Sequence, residues 1–233
     1  MPRKWDLSAL KEHIRTIEPK RDWLLSTVDS VSHSLLIYQY HKSLARDAFA
    51  AYHVEHDPDG IKMFAGAMMA GTHEELDAFE EAKLASEANL IAAINVIRNT
   101  FDILAQLVNA MALPKPLSIE RCDITNVRDA LQTGKLKSEI ERVTQLHWYR
   151  YLAAFSNTIK HRQLISHIPS QKYEEDTGNV LGGGAEIASF EYRNDAFTSY
   201  WVQEVLEGTV EIHNEIVTLG ITLNEWCLTS ARC

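Results

Sequence analysis

The sequence predicts an all-α protein, a bundle of about five to six helices in long antiparallel pairs, folded as a single domain over residues 1–233. Apolar residues recur at steps of three and four over long stretches, as on the buried side of a helix. No Ser/Gly/Pro-rich linker divides the chain. Hydrophobic residues make up 45% of the composition, which is enough to fill a sizeable core.

The N-terminal part predicts two helices and a short third one. Apolar spacing favours a helix over residues 7–17, which Glu18-Pro19-Lys20 interrupts. A second helix is expected from Arg21 to about Glu55, where the turn-forming residues 57–60 end it. The Met- and Ala-rich segment 61–70 is expected to form a small helix.

The longest predicted helix begins at Thr72, which with Glu75 has the spacing of a capping box, and ends at Leu113 before Pro114. One side of it carries an apolar seam that predicts packing against a partner helix. The seam consists of Leu90, Ile94, Ile97, Phe101, Leu104, Val108 and Met111.

The C-terminal part predicts a short helix over residues 126–131 and a long helix from Leu136 to Ile165. Residues 166–196 are too polar and glycine-rich for a helix and are expected to form an irregular insertion, with a small strand or hairpin at 187–192. A last helix is expected over about 194–229.

The charge balance limits the function classes. With 23 basic and 32 acidic residues, the formal charge of -9 argues against a protein that coats nucleic acid with a broad basic surface. The negative charge also argues against binding to an anionic membrane surface. No apolar run approaches the roughly 20 residues that span a bilayer. Three cysteines form no CxxC pair, and the first residues lack a secretion signal, so a cytoplasmic protein is expected.

A polar strip runs beside the apolar seam of the longest helix and contains Asn95, Asn99, Asp102, Gln106 and Asn109. A second polar run lies late in the helix predicted over 136–165. There Asn157 and His161 share a face and are accompanied by Lys160 and Arg162. An imidazole beside an amide and fixed cations can bind a phosphodiester or transfer protons on one. The structural alternative is that these cations only complement the dipole at a helix C-terminus.

The two polar features suggest one cleft if their helices are neighbours. Asp102 would then orient His161, while Asn99, Gln106 and Asn157 would bind a ligand. The competing interpretation is a hydrated or dimer-facing groove in which the amides satisfy one another. No metal or cofactor is predicted, because no histidine has a Glu three residues before it and no phosphate-binding glycine motif is present.

Two passages, residues 95–109 and 151–162, resemble the HEPN superfamily of nucleotide-binding helical domains from higher eukaryotes and prokaryotes, with a similar helical layout over residues 21–220. The resemblance implies a helical bundle, commonly dimeric, whose motif-bearing helices line a cleft. Active members are metal-independent endoribonucleases. Their motif has an arginine, often followed by a polar residue, and a histidine that is separated from the arginine by four to six intervening residues. His161 matches the histidine and Asn157 the polar position, so both are the candidate catalytic residues.

The motif arginine is absent, because positions 154–156 hold Ala, Phe and Ser. The resemblance therefore leaves three alternatives: Lys160 or Arg162 substitutes for it, a second subunit supplies Arg98 or Arg150, or the chain has no ribonuclease activity and retains a ligand-binding cleft.

The function predicted from the sequence is binding of RNA or a nucleotide at a local site, with metal-independent cleavage of the defence or toxin type as the associated activity. The substrate-binding residues are Lys160, Arg162, Asp102, Asn99 and Gln106. The chain is expected to form a homodimer and to have a neutralising protein partner. No association with a membrane is expected. The alternative is a non-catalytic, homodimeric interaction or regulatory bundle.

Overall fold

A computed structural model describes residues 4–16, 21–56, 73–176 and 180–230. Within these residues the chain is mostly helical, which confirms the all-α prediction. The small helix expected at 61–70 lies outside the described residues. The seven α-helices of the described part are α1 (Leu7–Ile14), α2 (Arg21–His56), α3 (His73–Ala112), α4 (Ile124–Ala130), α5 (Lys135–Gln145), α6 (His147–His161) and α7 (Val202–Ser230).

Contacts divide the chain into two compact units. The first comprises Met1–Ile37, Asn95–Ala153 and Thr209–Cys233, and the second comprises Tyr38–Ile94 and Ala154–Gly208. Helices α2, α3, α6 and α7 contribute residues to both units. The single domain expected over the whole chain stays a prediction.

The apolar seam of α3 is confirmed as core. Six of its seven residues are at most 1% exposed, and only Met111 is partly exposed. In the described residues, α3 is also the one helix that is long and apolar enough to cross a membrane by length and composition, although half of its most apolar window is buried inside the protein. The buried seam contributes to this apolar character.

The single helix expected from Leu136 to Ile165 is wrong in two respects. It is interrupted at Leu146, whose ψ of 142° is extended, so that α5 ends and α6 begins there. The Leu146 N–H donates to the Val143 carbonyl at 3.1 Å, and its own carbonyl accepts from the Arg150 N–H at 3.1 Å. Each of these bonds satisfies one backbone group at the junction of the two helices, and neither Gly nor Pro is involved. The second helix then ends at His161, four residues earlier than expected.

The insertion contains more strand than expected. Strands β1 (His167–Tyr173), β2 (Val180–Ile187) and β5 (Tyr200–Trp201) form an antiparallel sheet in the order β1-β2-β5. Strands β3 (Phe190–Tyr192) and β4 (Asp195–Phe197) form a separate hairpin.

The start predicted for the last helix, residue 194, is therefore wrong, because residues 195–197 and 200–201 pair as strands. Helix α7 begins at Val202. The Glu204 carboxylate accepts a hydrogen bond from the Trp201 backbone N–H at 2.8 Å, which helps to satisfy the backbone at this end.

The first unit joins the start of the chain to α7 through Trp5. Its indole Nε1 donates to Asn224 Oδ1 at 3.0 Å, and Asn224 Nδ2 donates to the Asp6 carbonyl at 2.7 Å. The Trp5 ring lies directly over Gly220, where a Cβ atom would come within 2.1 Å of it. Gly220 therefore lets the Trp5 ring approach α7.

Asp6 also caps α1 by accepting hydrogen bonds from the Ser8 and Ala9 backbone N–H groups.

Candidate functional site

The predicted catalytic residues lie at the C-terminal end of α6. Asn157 is half-buried, and His161, one turn later, is exposed. The helix ends here because the Arg162 and Gln163 N–H groups both bond to the Thr158 carbonyl, at 2.9 and 3.2 Å. Lys160 and Arg162 are exposed on either side of the histidine.

Aromatic packing fixes the β3–β4 hairpin against α6. Phe155, which is fully buried, meets Phe190 edge-on with ring centroids 6.0 Å apart. Phe190 in turn stacks on Phe197 across the hairpin at 5.0 Å. The alternation of a strand sends Phe190 and Tyr192 to the same face. The hairpin is therefore held at its base, where Phe190 contacts α6 and Phe197 stacks on Phe190, and it presents Tyr192 and its turn near the helix end.

Two arginines converge on Tyr192. The Arg162 and Arg193 guanidinium groups each lie over the Tyr192 ring, at 5.3 Å from its centroid. Arg162 Nη1 also donates to the Glu191 carbonyl at 3.4 Å. Arg193 adopts a φ of 58° at the turn, an uncommon conformation for a residue with a side chain. We call Lys160, His161, Arg162, Tyr192 and Arg193 the basic end.

The basic end is locally cationic in an acidic chain. Lys160, Arg162 and Arg193 supply three fixed positive charges, whereas Glu191 and Asp195 supply two exposed negative charges in the same hairpin. Stacking on a tyrosine restrains the orientation of a guanidinium while its outer N–H groups stay free to bind. The sequence predicted Lys160, His161 and Arg162 but missed Tyr192 and Arg193, because their proximity to the helix end depends on the hairpin.

The positions that could hold the missing motif arginine are in the core. Ala154, Phe155 and Ser156 are 3%, 0% and 4% exposed. A guanidinium at any of them would be buried among apolar side chains, which is costly without a paired carboxylate. Positions 154–156 therefore offer no exposed place for a phosphate-binding arginine.

Three residues of the predicted polar strip line a groove in the first unit. The groove has a volume of about 530 Å³, and we call it the Trp23 groove. Asn99, Asp102 and Gln106 form its α3 side. Ile103 lies among them on α3. The other lining residues are Trp23, Ser26, Thr27 and Ser30 of α2 and Ile119 of the segment after α3.

The end of the strip has a structural role. Asn109 is buried and bonds both backbone groups of Leu117, with Nδ2 donating to the carbonyl at 3.1 Å and Oδ1 accepting from the N–H at 2.7 Å. Gln106 Nε2 donates to the Cys122 carbonyl at 3.3 Å. The amides of Asn109 and Gln106 thus hold the loop after α3.

Asp102 is paired within its own helix. Arg98 Nη1 donates to Asp102 Oδ1 at 2.9 Å, and the Arg98 guanidinium lies 6.0 Å from the Tyr149 ring centroid. Burial lowers the pKa of Arg98, but Tyr149 and Asp102 raise it more, so the net shift is upward and the guanidinium stays charged. Arg98 is therefore committed within its own chain and is a poor candidate for completing a site in a second subunit.

The predicted site residues fall into two groups. Asn99, Asp102 and Gln106 belong to the first unit, and the basic end together with Asn157 belongs to the second. Orientation of His161 by Asp102 stays a prediction; the bond that the structure gives this carboxylate is to Arg98.

The Cys122 thiol is not activated as a nucleophile. Burial, together with Asp123 and Asp102, raises the pKa of the Cys122 thiol to about 11, so it stays protonated at neutral pH and is a weak nucleophile. Within the described residues, no group of three or more His, Cys, Asp or Glu side chains is arranged to hold a metal ion.

No protein-family model, no curated protein and no solved structure matches this chain. A functional assignment therefore depends on the geometry of the two groups of residues.

Proposed function

We propose that this chain binds single-stranded RNA or a nucleotide through the basic end. The observation that carries the proposal is the pair of guanidinium groups over Tyr192, next to the exposed Lys160 and His161. Phosphate oxygens accept bidentate hydrogen bonds from guanidinium groups, and a pre-oriented guanidinium loses less entropy when it binds.

The local charge sets the expected strength of binding. Three cations and two carboxylates leave a small net positive charge at the basic end. RNA binding there is therefore local and weakens as salt is added. If three phosphates are contacted, the affinity for a single strand falls with a log–log slope of about -2, or roughly 20-fold between 50 and 200 mM salt. Fluorescence anisotropy with a labelled mixed-sequence RNA measures this slope. Binding that does not change with salt would contradict the proposal.

Metal-independent cleavage is the enzymatic extension of this proposal, and it follows the resemblance to the HEPN superfamily. His161 is the general acid–base, Asn157 is the polar group one turn before it, and Lys160 or Arg162 replaces the missing arginine near the phosphate. Proton transfer by a positioned histidine is worth about 10²- to 10⁴-fold in rate.

The cleavage assay compares wild type, His161→Ala and His73→Ala with RNA in the presence of a chelator. His73 is an exposed histidine at the start of α3 and serves as the matched control. We expect cleavage by wild type and by His73→Ala but not by His161→Ala. Equal RNA stability with all three proteins, together with intact binding, would leave RNA binding as the function and remove the enzyme.

A second candidate is a homodimeric interaction bundle. It is favoured by Tyr40 and Leu44, one turn apart on α2 in the second unit, whose side chains are 62% and 39% exposed. Light scattering tests it directly. A dimer that Leu44→Lys converts to a monomer supports the interaction bundle, whereas a monomeric wild type at all concentrations excludes an obligate dimer.

A further inference from the structure

Two of the three hydroxyl groups that line the Trp23 groove, those of Thr27 and Ser30, have already used their hydrogens. Thr27 Oγ1 donates to the Trp23 carbonyl at 2.9 Å, and Ser30 Oγ donates to the Ser26 carbonyl at 2.9 Å. A hydroxyl has one hydrogen and two lone pairs, so these two oxygens have only acceptor capacity left for a ligand.

The facing α3 side also offers acceptors. The amide nitrogen of Gln106 is engaged by the Cys122 carbonyl, which leaves its carbonyl oxygen as the more available end. Asp102 has one oxygen on Arg98 at 2.9 Å, and its side chain is 42% exposed, so the carboxylate keeps lone pairs toward solvent. An ionised carboxylate accepts and does not donate. Asn99 also lines the groove, and its amide carries donors as well as an acceptor.

The aromatic wall matches this polarity. Trp23 is 44% exposed and lines the groove, and an indole face attracts cations more strongly than any other aromatic side chain. All the lining residues are described, and none is cationic, whereas Asp102 is anionic. The lining therefore offers a phosphate or carboxylate no cation of its own, in contrast to the basic end.

We infer that the Trp23 groove is a second binding site, which takes an organic cation with several N–H donors, a guanidinium or primary ammonium group on an aliphatic chain. Its N–H groups donate to Asp102, Thr27 and Ser30, while the charged group lies on the face of Trp23. This inference is independent of RNA binding, because its residues belong to the first unit and those of the basic end to the second.

The test uses the full chain and two probes of the same shape, butylguanidinium and the neutral butylurea, titrated by calorimetry and by NMR of the indole N–H groups. Trp23→Phe assigns the Trp23 signal. We expect butylguanidinium to bind at least tenfold more tightly and to shift the Trp23 resonance. Equal affinity for both probes would overturn the inference without any need for a variant.

Two variants localise the site. Asp102→Asn keeps the shape of the side chain but removes its charge, and we expect at least a fivefold loss of butylguanidinium affinity. The matched control is Asp129→Asn, which removes a carboxylate that is likewise paired with an arginine, Arg128, at 2.7 Å, but does not line the groove. Equal losses in both variants would mean nonspecific attraction by the acidic chain and would overturn the inference.

A third probe, N-acetyl-Gly-Arg-Gly-amide, distinguishes the source of the cation. Tighter binding than butylguanidinium, lost in Asp102→Asn, indicates an arginine side chain presented by a peptide. Weaker binding indicates a free amine or guanidine metabolite. If neither butylguanidinium nor this peptide shifts the Trp23 resonance, the inference is overturned.

Discussion

The basic end and the Trp23 groove differ in the direction of their hydrogen bonds. The basic end presents donors and fixed positive charge, because Arg162 and Arg193 are stacked on Tyr192 with N–H groups to spare. The Trp23 groove presents acceptors, because the hydroxyls of Thr27 and Ser30 have given their hydrogens to backbone carbonyls. The ligand of a polar strip therefore cannot be inferred from its residue types alone, because the internal hydrogen bonds decide which donors and acceptors remain for a ligand.

The largest expected effect comes from removing the support of the basic end. Phe155→Ala deletes a fully buried ring that contacts Phe190, and should lower the free energy of unfolding by about 3–5 kcal/mol. Urea denaturation measures the loss. The control Phe101→Ala removes a ring that is 1% exposed in the first unit and should cost a similar amount. RNA affinity of the folded protein should fall only in Phe155→Ala; equal falls would contradict the role assigned to the hairpin.

A somewhat smaller effect is expected at the loop beside the Trp23 groove. Asn109→Ala leaves two backbone groups of Leu117 without their partners, which should cost about 2–3 kcal/mol. Because Ile119 in the same loop lines the groove, butylguanidinium affinity should fall while RNA affinity is retained. Asn214→Ala, an exposed asparagine on α7, is the control for stability. Unchanged butylguanidinium affinity would separate the loop from the groove.

The second unit should also be the more acid-sensitive through His167. Burial lowers its pKa to about 4, whereas the unfolded value is about 6.5. The unfolded state therefore binds a proton first as pH falls, so stability is fully present above about pH 6.5 and is lost toward pH 4. Between pH 7 and 5 the loss is about 2 kcal/mol.

Urea denaturation of wild type and His167→Leu at both pH values measures this contribution. We expect the variant to lose less stability on acidification, because no buried imidazole has to be protonated. The exposed His73→Leu should behave as wild type. An identical acid dependence in His167→Leu and wild type would show that other groups dominate.

The smallest effect concerns single cations at the basic end. Arg193→Ala should weaken RNA binding about tenfold and reduce the salt slope by about 0.7, the contribution of one phosphate contact to a single strand. Lys115→Ala removes an exposed cation from the first unit and should change neither value. Equal effects of both substitutions would reduce the basic end to general surface charge.

Much of the fold could be predicted because helices repeat their apolar residues at a fixed period. The seam on α3 is a case in which Ile97, Phe101 and Leu104 were expected to be core and are at most 1% exposed. The interruption at Leu146 could not be predicted, because leucine is a good helix former and neither Pro nor Gly marks the site.

The candidate sites were predicted only in part, for a similar reason. Positions on one helix, such as Asn99, Asp102 and Gln106, follow from the helical period and do line one groove. Contacts between distant segments do not follow from any period. Trp23 lies more than seventy residues before Asn99, and Tyr192 lies thirty residues after Arg162. The sequence therefore supplied one side of each site, and the structure supplied the other.

The burial of Ser156 restricts how the arginine of the HEPN motif could be introduced into this chain as a test. An arginine at position 156, where only 4% of the residue is exposed, would bury a charge and should destabilise the fold. A gain-of-function design would instead have to graft the cation onto the hairpin turn, where a long side chain costs no buried volume.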